Sequence, residues 1–160
     1  MSSSKNPSFR VREYRPSDFP QLCAIDRLCF SEAIAYTPEE IALGLAQSGA
    51  FAIVAEGQGA EAQEQVIAFV LAQGKRRRLG HIITIDVRDE FRRLGLGRKL
   101  MELAEERLRQ RGVSRIVLEV STQNEHAIRF YQGLGYVTKR HLPGYYPDGS
   151  DAYLMEKAVA

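Results

Sequence analysis

The chain has 160 residues, 44% of them apolar and 26% charged, with a net charge of +2. That length suits one domain, which buries roughly 70% of the surface its unfolded chain exposes. The near balance of charge gives no bulk electrostatic case for DNA binding, and no apolar run approaches the ~20 residues of a membrane span.

In chain order, "MSSSKNPSF" lacks the apolar stretch of a signal peptide, so a cytoplasmic protein is expected, with residues 1–8 as a flexible tail and 9–160 as a single domain. "FRVREYRP" alternates and reads as a strand. "SDFPQLCAIDRLCF" follows as a helix, with Ser17 or Asp18 as N-cap and Leu22, Ile25, Leu28 and Cys29 on one face. Its two cysteines, Cys23 and Cys29, lie six apart and point to different faces; the spacing fits neither a zinc site nor a disulfide framework. Buried structural thiols in a reducing compartment are expected. "SEAIAYTPEEIALGLAQSG" reads as a loop and a second helix, with Thr37 as N-cap, Pro38 first and Glu40 third in a capping box. "AFAIVAE" and "QVIAFVLAQG" are strands joined by the turn "GQGAEAQE", a predicted hairpin. "GKRRRLG" turns the chain again. Its run Lys75 to Arg78 is expected to be a solvated tip, with contact to a ribosome or an acidic partner as the alternative.

"HIITIDV" is the next strand, and "FRRLGLGRKL" leads from it into the longest helix. There Leu96, Leu100, Leu103, Ala104 and Leu108 form the apolar face, Glu105 and Arg109 an i, i+4 pair on the charged face, and Gly112 the C′ residue. "SRIVLEVS" is a strand. "NEHAIRFYQGLG" is a helix capped by Asn124 and ended near Gly133 or Gly135, with Ala127, Phe130, Tyr131 and Leu134 on one face. "YVTKRHL" and "AYLMEKAV" are the last strands, on either side of the turn-rich "PGYYPDGS". The order describes a mixed α/β (α+β) domain. A right-handed crossover makes "HIITIDV" and "SRIVLEVS" parallel, while the hairpins imply antiparallel neighbours elsewhere.

A strand, a Gly-rich turn and a helix start together present backbone N–H groups to phosphate. Here the helix start is crowded with Arg92, Arg93, Arg98 and Lys99. An exposed cation in the first helical turn costs about 0.3–1 kcal/mol, a term that a bound polyphosphate reverses. The plain alternative is that these side chains snorkel into water. A Walker loop is absent, and the dinucleotide fingerprint Gly-x-Gly-x-x-Gly fails at Leu100.

Arg92, Gly95 and Gly97 do match Arg/Gln-x-x-Gly-x-Gly/Ala. With "HIITIDVRDEFRRLGLGRKLM", "LEVSTQNEHAIRFYQGLGY" and "GYYPDGSDAYLM", the chain resembles the GNAT superfamily of N-acetyltransferases over roughly residues 9 to 157. Within it, the chain is similar to the branch of ribosomal-protein-alanine and protein N-α-acetyltransferases. The resemblance implies a mostly antiparallel, seven-stranded mixed sheet with a central, splayed parallel pair and about four flanking helices. It implies acetyl-CoA (CoA) as cofactor. The pantetheine arm would lie in the splay along Ile85, Asp86 and Val87, with main-chain groups of Ile85 and Val87 bonding it and Asn124 as a polar contact. The pyrophosphate would sit on Arg92, Arg93, Leu94, Gly95, Leu96, Gly97 and Arg98, the glycines allowing close approach.

Acetyl transfer requires a neutral amine. A protein α-amine, with a reference pKa of about 7.7–8.0 against about 10.4 for lysine, is roughly 300-fold richer in free base at neutral pH. Glu119 shares a strand face with Val117 and Ser121, opposite Ile116, Leu118 and Val120. A carboxylate there lines a cleft or is paired. The resemblance implies a general base; the plain alternative is an ion pair with an arginine of a neighbouring helix. For Tyr131 the resemblance implies a CoA contact and a proton donor to the departing thiolate; the alternative is a core aromatic. Phe30, Ser31, Glu32 and Ala33, with Tyr145 and Tyr146, are implied on the substrate side. Glu32 could hold or deprotonate the α-ammonium. His126 is expected in solvent, and His141 either there or lining the peptide groove. Neither cysteine lies near the implied site in sequence, which agrees with direct attack and no covalent enzyme intermediate. No metal is expected.

The function implied is acetyl-CoA-dependent N-α-acetylation of a protein N-terminus, ribosomal or other. Acetylation of lysine or a small amine, and a non-catalytic acyl-CoA-binding module, are the alternatives. A protein N-terminus or peptide is the expected partner, with ribosome association as an option, no DNA and no membrane. Monomer and dimer stay open.

Overall fold

The structure is a computed structural model and describes residues 9–58 and 63–160. The expected tail at 1–8 and the centre of the "GQGAEAQE" turn lie outside the described residues. Strand β1 (Phe9–Glu13) is followed by α1 (Phe19–Cys29), α2 (Pro38–Ala46), β2 (Ala50–Gln58), β3 (Glu64–Gly74) and β4 (Leu79–Val87). Then come α3 (Leu96–Gln110), β5 (Arg115–Ser121), α4 (Glu125–Gly133), β6 (Val137–Leu142) and β7 (Ala152–Ala158). The seven strands form one sheet in the order β1-β2-β3-β4-β5-β7-β6. Every neighbouring pair is antiparallel except β4 and β5. Strand count, helix count and the parallel pair agree with the expectation.

Apolar clusters cover both faces of the sheet. Leu96, Leu100, Met101, Ala104 and Leu108 of α3 pack with Ile53, Val70, Ile82, Ile116 and Leu118. Leu22 and Ile25 of α1 pack with Val54, Val66, Phe69 and Leu71 on the other side. Covered on both faces, β2 and β3 read as continuous apolar runs rather than alternating ones.

Three local expectations change. The buried residues of α1 are Leu22, Cys23, Ile25 and Asp26, with Cys29 half-buried, while Leu28 is 69% exposed. A buried aspartate takes the position at i+4 from Leu22, so an apolar count alone misplaces the seam. Asp18 stands at the N-cap of α1 but makes no side-chain cap bond. Its carboxylate instead accepts from the Arg12 guanidinium at 2.8 Å through both oxygens and from Arg15 N–H at 2.8 Å. Glu105 is not on an exposed face. It is 8% exposed and accepts from Tyr136 Oη and Lys157 Nζ, each at 2.8 Å, while Arg109 pairs with Glu106. The flank of α3 that composition marks as charged is covered by Tyr136 and β7. The capping box at Thr37 and Glu40 forms as expected, and Gly112 and Gly135, at φ +88° and +100°, end α3 and α4.

One irregularity positions the site. Ala72 of β3 pairs with Ile82, but Leu71 pairs with Thr84, so Ile83 is an extra residue in β4, a β-bulge. Before it, Ile82 faces α3. After it, Thr84 and Asp86 turn towards α1, and Ile85 and Val87 pack on the α3 and α4 side. Parallel pairing of β4 with β5 covers only Leu79–Arg115, Gly80–Ile116 and His81–Val117. Beyond His81 the ladder stops, and the two strands leave the expected gap.

Candidate active site

A short 3-10 turn, Asp89–Phe91, carries the chain from β4 towards α3. Arg93 (φ +65°) and Gly95 (φ +79°) both adopt left-handed backbone, and Gly95 is the N-cap. A Cβ on Gly95 would meet nothing within 4 Å, so the glycine answers a backbone conformation and leaves open space before the helix. The first helical bond runs from Lys99 N–H to Gly95 O at 3.0 Å. The N–H groups of Gly95, Leu96, Gly97 and Arg98 make no hydrogen bond among the described residues. Four such groups at the positive end of a 15-residue helix suit a polyphosphate.

At Gly97 the Cβ direction is occupied by protein rather than open. Its Cβ would lie 3.2 Å from Phe130 Cζ and 3.8 Å from Val87 Cγ2. This glycine lets α3 pack against α4 and the end of β4. The cations divide. Arg92 bonds Val87 O at 3.3 Å and Asp89 at 3.1 Å, and Arg98 lies 3.7 Å from Glu102. Arg93 and Lys99 are exposed and make no ion pair among the described residues. Leu96 is 1% exposed, so only its N–H can reach a ligand; Leu94 is exposed. Asn124 caps α4, its Oδ1 accepting from Ala127 N–H at 3.1 Å.

On the donor strand, Ile85 and Val87 are half-buried, and the Val87 carbonyl accepts from Cys29 Sγ at 3.4 Å as well as from Arg92. Cys29, which precedes Phe30 in sequence, is therefore also close to the donor strand in space. Burial pushes its thiol up to about 11, so it is not a thiolate nucleophile at neutral pH. The Asp86 side chain is 1% exposed and turned towards α1, away from the splay, so only its main chain can meet a ligand there.

Across the splay stands Glu119. Its partner is not an arginine from a helix but His81 of the adjacent strand, with Nε2 at 2.8 Å from Oε2. A carboxylate only accepts, so the imidazole contributes the proton between them. Both side chains keep partial access to solvent, 17% for His81 and 20% for Glu119. His81 was passed over in the sequence. The signal was a polar residue opening an otherwise apolar strand, predicted parallel to the one carrying Glu119; the missing information was register.

Three phenols gather around this pair. Tyr36 donates to Ile83 O at 3.4 Å. Burial raises its pKa well above the ordinary phenol range, with Tyr145, Glu119, Asp26 and Tyr146 adding to the effect. Tyr145 and Tyr146 stand edge to face, 5.0 Å between ring centroids. Burial and the charge of Glu119 raise Tyr145, and burial with Tyr145 and Glu119 pushes Tyr146 up to about 12. Their loop is braced from within: Tyr146 N–H bonds Ser150 O, and Asp151 accepts from Gly144 N–H at 2.9 Å and His141 at 2.8 Å. His141 is thus committed to the base of the loop, and His126 is exposed as expected.

Tyr36 closes the stretch "CFSEAIAY" that the resemblance implies on the substrate side, and only the fold singles it out beside Phe30 to Ala33. Phe30 and Ala33 are half-buried, Ser31 and Glu32 exposed, and no side-chain hydrogen bond among the described residues links these four to the Glu119 cluster. Tyr131 packs 5.3 Å from Phe130 and 6.0 Å from Tyr136. Burial holds its pKa far above the usual phenol value, assisted by Asp86 and Tyr146. Its hydroxyl makes no hydrogen bond among the described residues and is not sealed off.

The arrangement has a phosphate-ready helix start, an open strand edge, a carboxylate–imidazole pair and protonated phenols. The sequence model of the family described as "Acetyltransferase (GNAT) family" matches residues 15–136. A relative named N-alpha-acetyltransferase from Sulfurisphaera tokodaii is 29% identical over 165 residues, 96% of this chain and 95% of the relative. Among solved structures, Ard1 from Thermoplasma volcanium superposes with a TM-score of 0.82 at 30% identity, covering 95% of this chain and 98% of that one. The ribosomal-protein-S18-alanine N-acetyltransferase from Escherichia coli gives 0.81 at 25% identity, covering 96% and 95%.

Proposed function

Since the chain belongs to the GNAT acetyltransferase family and is an acetyltransferase, we propose that it carries the acetyl group of acetyl-CoA to the N-terminal amine of a protein. The observation that carries this reading is the Glu119–His81 pair, 2.8 Å apart at the mouth of the splay, with Tyr36, Tyr145 and Tyr146 in the field of the same carboxylate. The S. tokodaii relative, named for α-amine acetylation, supports it.

Bound acetyl-CoA supplies the thioester carbonyl that the amine attacks. The N–H groups of residues 95–98, with Arg93 and Lys99, hold the pyrophosphate against the positive end of α3. Main-chain groups of β4 beyond its ladder with β5 align the pantetheine arm, and Asn124 adds a polar contact.

Glu119, hydrogen-bonded to His81, takes the proton of the attacking amine, directly or through water. The substrate needs only modest help, because an α-amine is deprotonated far more readily than a lysine. Tyr131 gives its proton to the departing sulfur. Its raised pKa keeps that proton available at neutral pH, and no internal acceptor competes for it. Tyr145, Tyr146 and Tyr36 wall the first residues of the peptide, with Phe30, Ser31, Glu32 and Ala33 along the approach.

The test is acetyl-CoA turnover on peptides varied at their first two residues, beside peptides blocked at the α-amine but carrying free lysine. Acetylation confined to free α-amines is expected. Turnover on the blocked lysine peptides alone would overturn the reading.

A further inference from the structure

Beneath the splay, on the α1 side of the sheet, lies a pair of carboxyl groups to which the mechanism gives no part. Asp26 of α1 is 0% exposed and Asp86 of β4 is 1% exposed. Each uses one oxygen conventionally. Asp26 Oδ2 accepts from Tyr36 N–H, and Asp86 Oδ1 accepts from the Thr84 hydroxyl, both at 2.6 Å. The other oxygens, Asp26 Oδ1 and Asp86 Oδ2, are buried with no hydrogen-bond donor among the described residues, and the two side chains lie within reach of one another.

Two ionised carboxylates cannot face each other in a dry interface, where each charge needs a donor and their repulsion is unscreened. A single proton resolves both conflicts. We infer that Asp26 and Asp86 share one proton, and that this acid–carboxylate bond is a positioning device tying the Tyr36 segment to the bulged donor strand. Asp26 is the charged member, because the Tyr36 N–H it accepts is a fixed donor, whereas the Thr84 hydroxyl at Asp86 can rotate to accept instead. Asp86 is the donor.

The two charged neighbours of the pair oppose that assignment, and the deeper burial of Asp86 outweighs them. Burial is the main cause raising both residues, more strongly Asp86. Glu40 of α2 adds negative charge near Asp26, and Arg92 lowers Asp86 only weakly. Cys29 of α1 and Tyr131 of α4 feel Asp86, but both are neutral at pH 7. Phe69 of β3, opposite Asp86 in register, brings no charge. Through Tyr36 the bond reaches the acceptor side: Tyr36 N–H is held by Asp26, and Tyr36 Oη bonds the bulge carbonyl of Ile83. The pair thus sets the spacing between the acceptor wall and the strand assigned to the donor arm.

The effect on peptide binding rests on the proposed function, whereas the proton itself does not, so two measurements separate them. Unfolding at pH 6, followed by calorimetry in buffers of different ionisation enthalpy, counts protons released. Both aspartates are ionised in the unfolded chain at that pH. The parent should release about one proton more than Asp86→Asn, whose amide N–H₂ donates to Asp26 without taking up a proton. A difference near zero overturns the shared proton.

Steady-state kinetics test the positioning. Asp86→Ala should raise the KM for the best α-amine substrate about 10-fold, with a change of less than about 3-fold in the KM for acetyl-CoA, and Asp86→Asn should recover most of the loss. Equal effects on both KM values, or no rescue by Asn, refute the positioning role. If no α-amine substrate is found, the function has failed while the proton count still decides the pair.

Discussion

His81 Nε2, on the last residue of β4 paired with β5, lies 2.8 Å from Oε2 of Glu119, two residues beyond Val117, the register partner of His81. Glu119→Gln should lower kcat/KM about 10²–10⁴-fold on the best peptide, the usual range for loss of general acid–base help. His81→Gln should also lower it. Because the two act as one unit, the double variant should be little worse than the poorer single. Near-parent rates for both single variants would remove the pair from the reaction.

Tyr131→Phe deletes a hydroxyl with no hydrogen-bond partner among the described residues and keeps the ring packed between Phe130 and Tyr136. We expect kcat to fall about 10²-fold with little change in peptide KM. Folding stability should move by less than about 1 kcal/mol. A large loss of stability with normal kcat, read from melts and steady-state rates, would make this tyrosine a core residue only.

Gly95→Ala and Gly97→Ala should both raise the KM for acetyl-CoA, for different reasons. At Gly95, with φ +79°, alanine carries a left-handed strain of about 1–2 kcal/mol. At Gly97 the new methyl would press on Phe130 Cζ at 3.2 Å. Phe130→Leu should therefore relieve Gly97→Ala and leave Gly95→Ala unchanged. If Phe130→Leu brings no relief, the methyl added at Gly97 acts on the ligand and not on α4.

Arg12→Ala strips the guanidinium from Asp18, which is 3% exposed. Breaking a buried pair in this way typically costs about 3–5 kcal/mol. The Arg12 hydrogen bond holds the Asp18 pKa below its ordinary value. A depressed carboxylate contributes stability above its unfolded pKa, near 3.9, that is lost as pH falls through the folded value. Denaturant melts of the parent should weaken steeply below about pH 4, and the Arg12→Ala variant should show a flatter acid limb. Parallel acid limbs would refute this assignment.

Much of the fold was legible because its signals are local. Alternation and apolar runs marked all seven strands. Thr37-Pro38 with Glu40 marked the start of α2, and Gly112 the end of α3. Glu119, Tyr131, Tyr145 and Tyr146 were legible as residue types within motifs. Three features were not. Glu105 carries a charge that composition assigns to solvent, and only the packing of Tyr136 and Lys157 draws it inward. His81 gains its meaning from the register that sets it beside Val117, two residues before Glu119. Asp86 follows the same alternation as Ile82 and Thr84 in the sequence, yet Ile82 faces α3 and Asp86 faces α1.

Local sequence suffices for the order of elements, the parallel crossover and the glycine turn that frees four N–H groups at the start of α3. Each depends on a few neighbouring residues and on the 2.0 and 3.6 periods of the backbone. Which side chains meet is a matter of tertiary packing. The extra residue at Ile83 reverses the faces of β4, ends its ladder with β5, turns Asp86 onto Asp26 and leaves His81 beside Glu119. A bulge is set by the pairing of two distant strands and the layers packed on them, so no local pattern in "HIITIDV" could mark its place.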